Sequence, residues 1–280
     1  MLKTNDMHTK TFFKTIVLSD LHLGSDHAKI AQLVEFLRSV NCSTLLLNGD
    51  IIDGWKLQKG GRWKREYSEL IKIIMKMMEN HGTKVVYIRG NHDDFIDHFA
   101  PFFFQNLSIV KDYVYQSGSR NYYVCHGDVF DGVSSRMIWL AKLGDMGYSL
   151  LLHINKVYNK VREKKGLPYF SLSQSIKQKV KSTISYISDF EKELVSLARS
   201  RGMDGVICGH IHKPANEVVN GIHYLNSGDW VETMSALLEH EDGRWEVYMH
   251  TQSSIQTLAI QQLLLSNEVS HKPELDSFFL

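Results

Sequence analysis

The sequence predicts an α/β protein in which helices pack outside a partly parallel β-sheet. Short apolar runs rich in β-branched residues, typical of buried strands, alternate with stretches whose apolar residues recur every three or four positions, as in amphipathic helices. In addition, a polar motif follows each of five predicted strands. These motifs fall at the C-terminal ends of the strands, the edge at which layered α/β proteins build their binding sites.

The strand predictions rest on five short apolar runs, each bounded by glycine or polar residues. They cover residues 14–19, 43–48, 83–89, 122–125 and 205–208. Between the first three runs the pattern becomes helical, from about residue 30 to residue 40 and again around Leu70, Ile74 and Met77. The second helix is expected to stop at Asn80-His81-Gly82. This alternation predicts parallel strands connected by external helices.

Composition is that of an ordinary globular protein, with 280 residues, 43% hydrophobic and 22% charged. No apolar run approaches the roughly 20 residues that span a bilayer, and the polar first ten residues lack the apolar segment of a signal peptide. Cys42, Cys125 and Cys208 have no metal-pair spacing, which favours buried thiols in a reducing compartment. We therefore expect a cytoplasmic protein, with peripheral contact to the inner membrane as an option. We expect no nucleic-acid partner, and the oligomeric state is left open.

Five motifs carry the chemistry: Asp20-Leu-His22, Gly49-Asp50, Gly90-Asn91-His92-Asp93, His126-Gly-Asp128 and Gly209-His210-Ile-His212. Any one of them alone is usually a turn or a surface histidine. Together they supply hard oxygen and imidazole donors from separate loops, as a two-metal hydrolytic site requires. Asp50 is the natural bridge between the two metals. Asp20 and His22 would complete one half-site with one imidazole of the last motif. Asn91 and His126 would complete the other half-site with the second imidazole.

The five motifs resemble those of the calcineurin-like metallophosphoesterase superfamily, over about residues 15–250. The resemblance implies a four-layer α-β-β-α sandwich with two divalent metal ions, for which Mn²⁺ is favoured over Fe or Zn²⁺. It implies that Asp20, His22, Asp50 and His212 hold one metal, and that Asp50, Asn91, His126 and His210 hold the other. It further implies that His92 contacts the substrate phosphate and helps the leaving oxygen depart, and that Asp93 orients His92. A non-catalytic scaffold would lack ligands, and here every ligand position is filled.

A narrower resemblance points to the UDP-2,3-diacylglucosamine hydrolase group. Four stretches carry it: residues 19–24, 48–55, 125–128 and 209–214. Those enzymes cleave the pyrophosphate of a UDP-linked, doubly acylated glucosamine in lipid A synthesis, releasing UMP and the acylated sugar 1-phosphate. That group typically carries Arg where this chain has His92. A soluble nucleotide or another phosphoester is therefore the alternative substrate.

We expect a phosphoesterase domain over residues 1–250, with a helical insertion at about 133–200 and a C-terminal helix and tail over 251–280. The insertion carries 12 lysines and arginines against 5 acidic residues, and it is predicted to cap the site and attract an anionic substrate. Arg162, Lys164 and Lys165 are the predicted phosphate contacts. A second basic cluster follows Asp50, at Lys56, Lys59, Arg62, Lys64 and Arg65. For most of these charges a solvated surface is the alternative.

A run of phenylalanines follows the third motif: Phe95, Phe99, Phe102, Phe103 and Phe104. Packing beneath the sheet is the expected role of these side chains. An acyl-chain groove or a membrane-facing patch is the alternative.

Overall fold

Two β-sheets packed face to face form the centre of the protein. The structure is a computed structural model that describes residues 10–129, 172–258 and 260. The described strands are β1 (Thr11–Leu18), β2 (Val40–Asn48), β3 (Lys84–Ile88), β4 (Phe102–Phe104), β5 (Leu107–Val110), β6 (Tyr113–Ser117), β7 (Arg120–Val124), β8 (Gly205–Cys208), β9 (Ala215–Val219), β10 (Ile222–Asn226), β11 (Ser235–Glu239) and β12 (Trp245–Met249). The larger sheet has the order β12-β11-β1-β2-β3-β5-β4, and the smaller has the order β6-β7-β8-β10-β9.

Both sheets are parallel at their centres. β1, β2, β3 and β5 pair in parallel with their neighbours in the larger sheet, as do β7, β8 and β10 in the smaller one. The outer strands β4, β6, β9, β11 and β12 pair antiparallel. The C-terminal ends of β1, β2 and β3 therefore meet at one edge of their sheet, as the sequence predicts, and β7 and β8 end together at an edge of the other.

Helices cover the outer faces of the sheets. They are α1 (Ile30–Ser39), α3 (Arg65–His81) and α4 (Leu172–Ser200). The short helix α2 (Gly54–Gln58) belongs to the connection after β2, and a 3₁₀ turn covers Asp94–His98. α3 ends where its stop signal predicts, because Gly82 adopts the left-handed conformation (φ +65°) that closes a helix C-terminus. α1 and α3 pack on the larger sheet through their apolar stripes.

Alternating side chains of the central strands reach two different apolar layers. In β2, Leu45 and Leu47 face α1 and α3, whereas Leu46 faces the second sheet. In β8, Ile207 faces the first sheet, whereas Val206 and Cys208 face α4. Because both faces of these strands are covered, they are apolar at every position. Three apolar layers between two sheets and two sets of helices confirm the predicted four-layer α-β-β-α sandwich.

α4 supplies the outer layer of the smaller sheet. Phe190, Leu194 and Ala198 are buried against β7, β8 and β10. This packing corrects the expectation that the whole stretch 133–200 caps the metal site, because the apolar stripe near the end of α4 belongs to the core. Residues 133–171 of the predicted insertion lie outside the described residues.

The phenylalanines after the third motif are largely exposed. The exposed fractions are 65% for Phe99, 69% for Phe103 and 59% for Phe104. The expectation that they pack beneath the sheet is wrong, because β4 is a three-residue edge strand, outside the part of the sheet that α1 and α3 cover.

Near the C-terminus, residues 252–258 are helical and Leu258 packs into the outer core. Residues 261–280 of the predicted tail lie outside the described residues. Among the helices that are described, none combines the length and apolarity needed to cross a bilayer.

Candidate metal centre

The loops after β1, β2, β7 and β8 bring six predicted ligands into one cluster. Three groups of donor atoms, each with all members within 4.8 Å of one another, combine Asp20, His22, Asp50, His92, His126, His210 and His212. Asn91 follows β3, and its neighbour Gly90 lies directly against Asp50 and His126. The parallel centres of the two sheets thus bring together residues up to 192 positions apart.

Asp20, His22 and His212, together with Asp50, form what we call the outer half-site. The Nε2 atom of His212 lies 3.1 Å from Asp20 Oδ1. The Nε2 atom of His22 lies 3.9 Å from Asp20 Oδ1 and 3.8 Å from Asp50 Oδ2. The side chains of His22 and His212 are 11% and 13% exposed, so this half-site reaches the surface.

Asp50, Asn91, His126 and His210 form what we call the inner half-site. The Nε2 atom of His126 lies 3.4 Å from Asp50 Oδ2. The same Asp50 oxygen lies near His22, so it stands between the two half-sites, where a bridging ligand must be. The Nδ1 atom of His126 is 2.9 Å from the backbone oxygen of Asn48, so Nδ1–H donates to this carbonyl and the ring is oriented with Nε2 toward Asp50.

Three buried polar atoms in the cluster make no hydrogen bond of normal geometry within the described residues: Asp20 Oδ1, Asn91 Oδ1 and His126 Nε2. Asp20 Oδ1 and His126 Nε2 have close polar neighbours, at 3.1 Å in His212 and 3.4 Å in Asp50, but without the alignment of a hydrogen bond. Buried polar atoms are rarely left unsatisfied. The other oxygens of the two carboxylates are fixed by the backbone, since the N–H of His210 donates to Asp20 Oδ2 (3.0 Å) and that of His92 donates to Asp50 Oδ1 (2.8 Å). Each aspartate therefore presents one free oxygen to the cluster, and these residues fit divalent cations.

Five of the predicted ligands adopt the left-handed backbone region, which non-glycine residues rarely occupy. The φ angles are +53° for Asp20, +48° for His22, +53° for Asp50, +69° for His210 and +54° for His212. Each such conformation costs on the order of 1–3 kcal/mol and persists only where the surroundings impose it. The strain turns each side chain back toward the edge of the sheet, which explains how neighbours such as Asp20 and His22 both reach the cluster.

Gly49 is the position at which this close packing excludes a side chain. Its φ is +81°, and a Cβ there would collide with the ring of His126. Glycine is therefore required for the backbone of the Asp50 loop to pass beside the inner half-site.

The two aspartates of the cluster are ionised at neutral pH. Burial raises the pKa of Asp20, but His212 and His126 outweigh this and hold it well below its usual range. Burial likewise opposes ionisation of Asp50, yet the nearby His126 lowers the pKa of Asp50 to about 2. Burial lowers the pKa of His126, whereas Asp50 and Asp20 raise it well above its usual value. Two ionised, buried carboxylates thus favour any cation that enters the cluster.

His92 lies at the edge of the cluster with its side chain 27% exposed. Its Nδ1 atom is 3.2 Å from Asp53 Oδ1, and its ring packs against Trp55 at 4.3 Å between centroids. Burial lowers the pKa of His92, but the hydrogen bond with Asp53 and the charge of Asp50 raise it above its usual value. The imidazole is therefore held in one orientation, with Nε2 left for another partner.

The prediction that Asp93 orients His92 is wrong. The Asp93 carboxylate is fully buried and accepts hydrogen bonds from the N–H groups of Ile51 (2.9 Å) and Gly90 and from the hydroxyl of Tyr87 (2.7 Å). These partners connect the loops after β2 and β3. Asp93 therefore holds the two loops together, and Asp53 is the carboxylate beside His92.

Two carboxylates that the sequence analysis missed lie behind the outer half-site. Asp53 Oδ2 is 3.7 Å from His22 Nδ1, and Asp229 Oδ2 is 3.8 Å from His212 Nδ1. Carboxylates behind ligating imidazoles orient the rings and raise their basicity. The sequence did not single out either residue, because aspartate is common in such local positions. Asp53 occupies the N-cap of α2, and Asp229 follows the turn after β10. The predicted contacts Arg162, Lys164 and Lys165 lie outside the described residues.

One protein family and several known proteins are similar to this chain. Residues 13–214 match the family described as calcineurin-like phosphoesterase. The chain is 24% identical over 240 residues to a UDP-2,3-diacylglucosamine hydrolase of Haemophilus influenzae (80% of this chain, 94% of the relative). It is 24% identical over 251 residues to a UDP-2,3-diacylglucosamine hydrolase of Neisseria meningitidis (83% and 95%). A solved structure of the phosphoesterase Yfce from E. coli aligns with 14% identity and a TM-score of 0.39, over 85% of this chain and 99% of that one. The chain belongs to the calcineurin-like phosphoesterase family and is a phosphoester hydrolase.

Proposed function

We propose that this protein uses two divalent metal ions to hydrolyse a pyrophosphate, and that its substrate is UDP-2,3-diacylglucosamine. The products would be UMP and 2,3-diacylglucosamine 1-phosphate. The proposal of metal-dependent hydrolysis rests on three buried atoms that make no hydrogen bond of normal geometry and could bind metal ions. These atoms belong to Asp20, Asn91 and His126. The substrate is supported by the relatives that match most of the chain, which are hydrolases of that compound by name.

The metal ligands divide between the two half-sites. Asp20, His22, Asp50 and His212 would hold one ion, and Asp50, Asn91, His126 and His210 would hold the other. When bound, the ions supply an activated water and neutralise charge on the phosphoryl group under attack. Mn²⁺ is the first candidate, with Fe and Zn²⁺ as alternatives, since carboxylate, amide and imidazole donors suit all three.

His92 would act on the leaving side of the reaction. Water oxygen forms a bond to the phosphorus next to the nucleoside, and the bond from that phosphorus to the bridging oxygen breaks. Asp53 holds His92 through Nδ1 at 3.2 Å, so the proton on Nε2 is available to the departing oxygen. Asp93 contributes indirectly, by fixing the loop that carries Asn91 and His92.

A lipid-linked substrate requires access to a membrane surface. Phe99, Phe102, Phe103 and Phe104 give the described part of the chain an exposed aromatic edge on β4 that suits peripheral contact with the inner membrane from the cytoplasm. In the sequence, this edge comes directly after the 3₁₀ turn that follows the third motif.

A second candidate function is hydrolysis of a soluble nucleotide or phosphodiester. The observation that favours it is His92 itself. The UDP-2,3-diacylglucosamine hydrolase group typically carries Arg at this position, and a single imidazole N–H binds a second phosphate less strongly than the forked donors of a guanidinium do.

The test is a screen of purified protein, loaded separately with Mn²⁺, Fe²⁺ and Zn²⁺, against three substrates. These are UDP-2,3-diacylglucosamine, a cyclic nucleotide and bis(p-nitrophenyl) phosphate, and release of UMP from the first is the diagnostic product. We expect the highest kcat/KM with the lipid-linked substrate and Mn²⁺. If only the soluble esters are cleaved, the second candidate replaces the first. If no metal supports any hydrolysis, both fail.

A further inference from the structure

A cleft of about 820 Å³ opens beside His92, on the side away from the inner half-site. The loop after β1, α2 and the connection from α2 to α3 line it. We infer that this cleft, which we call the α2–α3 cleft, binds the phosphate of the leaving group through Lys59 and Arg62. The inference rests on the proposed function in one respect, because it takes the substrate to be a pyrophosphate.

The position of the cleft decides which half of the substrate it can hold. His92 and Asp53 form its inner end, and the same His92 ring lies 4.7 Å from His22 of the outer half-site. A group bound at the metals therefore meets His92 before it meets the cleft. Since His92 serves the departing oxygen, the atoms beyond it belong to the leaving group.

The charges of the cleft match an anion. Four cations line it: Lys56, Lys59, Arg62 and Lys64. Its two carboxylates are already engaged, since Asp26 pairs with Lys64 at 3.1 Å and Asp53 contacts His92 and His22. Within the described residues, Lys59 and Arg62 have no carboxylate partner. A solvated surface would tolerate this arrangement, but a guanidinium and an ammonium that line the same concave site suit a phosphate.

Two tryptophans give the α2–α3 cleft fixed walls. Trp55 is 43% exposed and stacks at a 35° tilt on His92. Trp63 is 47% exposed, yet its indole N–H donates to Ser68 Oγ (2.9 Å) and its ring packs edge-on against Tyr67. Half-exposed indoles that are held in place present flat apolar surfaces. The ligand class is therefore a phosphate attached to a ring with an apolar face, such as a sugar 1-phosphate.

The test measures whether the cleft recognises the second phosphate of a nucleotide. Two probes are titrated calorimetrically into the Mn²⁺-loaded protein: UMP and the non-hydrolysable α,β-methylene-UDP. They differ only in the group that would enter the cleft. The variant is the double substitution Lys59→Ala/Arg62→Ala, and the matched control is Lys72→Ala/Lys76→Ala, which removes the same charge from the exposed face of α3.

We expect the wild-type protein to bind α,β-methylene-UDP at least about tenfold more tightly than UMP, because the added phosphonate gains charge-assisted contacts. In the Lys59→Ala/Arg62→Ala variant this preference should fall to about twofold or less, with the Kd for UMP nearly unchanged. The control variant should keep the wild-type preference.

Other outcomes overturn the inference. If the wild-type protein binds the two probes with equal Kd, or binds neither, the cleft does not bind the second phosphate. An equal loss of affinity for both probes in the Lys59→Ala/Arg62→Ala variant, or the same loss in the control, assigns the effect to general charge. The substrate proposal is separate, because a protein that shows the expected binding but never cleaves UDP-2,3-diacylglucosamine keeps the phosphate site and loses only that substrate.

Discussion

The outer and inner half-sites differ in how their imidazoles are held. In the outer half-site, His22 and His212 are partly exposed, and carboxylates stand behind them, Asp53 at 3.7 Å and Asp229 at 3.8 Å. In the inner half-site, His126 is completely buried and is held by a neutral backbone oxygen at 2.9 Å. Mutation can remove the charged partners of the imidazoles in the outer half-site. In the inner half-site the orientation of His126 depends on a main-chain carbonyl, which mutation does not remove.

This difference indicates which half-site is enclosed by the core and which lies nearer to the entering substrate. The inner half-site lies within the core, where the His210 ring packs 6.0 Å from that of Phe190 of α4. The outer half-site adjoins His92, Trp55 and the α2–α3 cleft. We expect the inner ion to exchange slowly and the outer ion to depend on its carboxylate partners. The following predictions test this comparison, from the largest effect to the smallest.

Asp50→Asn should disable both half-sites, because Asp50 Oδ2 lies near the histidines of each. We expect turnover to fall by a factor on the order of 10³ or more, since the nucleophile and the neutralisation of phosphoryl charge are lost together. Elemental analysis should find less than one metal per chain. The exposed Asp94→Asn is the control and should retain both ions. Two tightly bound ions in Asp50→Asn would contradict the bridging role.

His92→Ala should leave both half-sites intact and impair the chemistry. Metal content should match that of the wild type, while kcat falls by about 10²–10⁴-fold, the usual range for a positioned acid. The loss should shrink for esters with good leaving groups, which need little protonation. His98→Ala, at the exposed end of the 3₁₀ turn, is the control. An equal loss for aryl and alkyl esters would argue against the acid role.

Asp53→Asn should weaken metal binding at the outer half-site and leave the inner half-site unchanged. It removes the charge behind His22 and keeps an N-cap for α2, because asparagine caps helices as well as aspartate does. We expect metal affinity at the outer half-site to fall by about 10–100-fold while the inner ion stays bound. Competition with a chelator, followed by elemental analysis, measures this. Equal weakening of both ions would show that the half-sites are not independent.

Neutralising Arg162, Lys164 and Lys165 together should affect neither half-site. If these residues attract the anionic substrate, KM for UDP-2,3-diacylglucosamine should rise by about threefold to tenfold, as for exposed charges that steer a ligand. KM for a small aryl phosphate should stay nearly constant. The effect should weaken at high salt. Equal changes for both substrates would assign these residues to the stability of the fold.

The sequence by itself predicted the five strands that precede the polar motifs and six of the residues that meet in the cluster. It could do so because both depend on short-range pattern. A strand that is buried on both faces is apolar throughout, and the polar residue after it, such as Asp50 or His126, must lie at the edge of the sheet. The end of α3 at Gly82 was predictable for the same reason, since one residue supplies the left-handed conformation.

Only the tertiary structure decided the partners of these ligands. Asp93 is adjacent to His92 in sequence, yet its carboxylate turns inward to the backbone of two loops, and Asp53, from another loop, contacts the imidazole. Side-chain direction in loops follows from φ angles and packing, which the sequence pattern does not encode. The exposed Phe103 and the buried Phe190 are likewise indistinguishable by hydrophobicity. What separates them is that β4 lies at the edge of its sheet, whereas α4 lies across the face of the other.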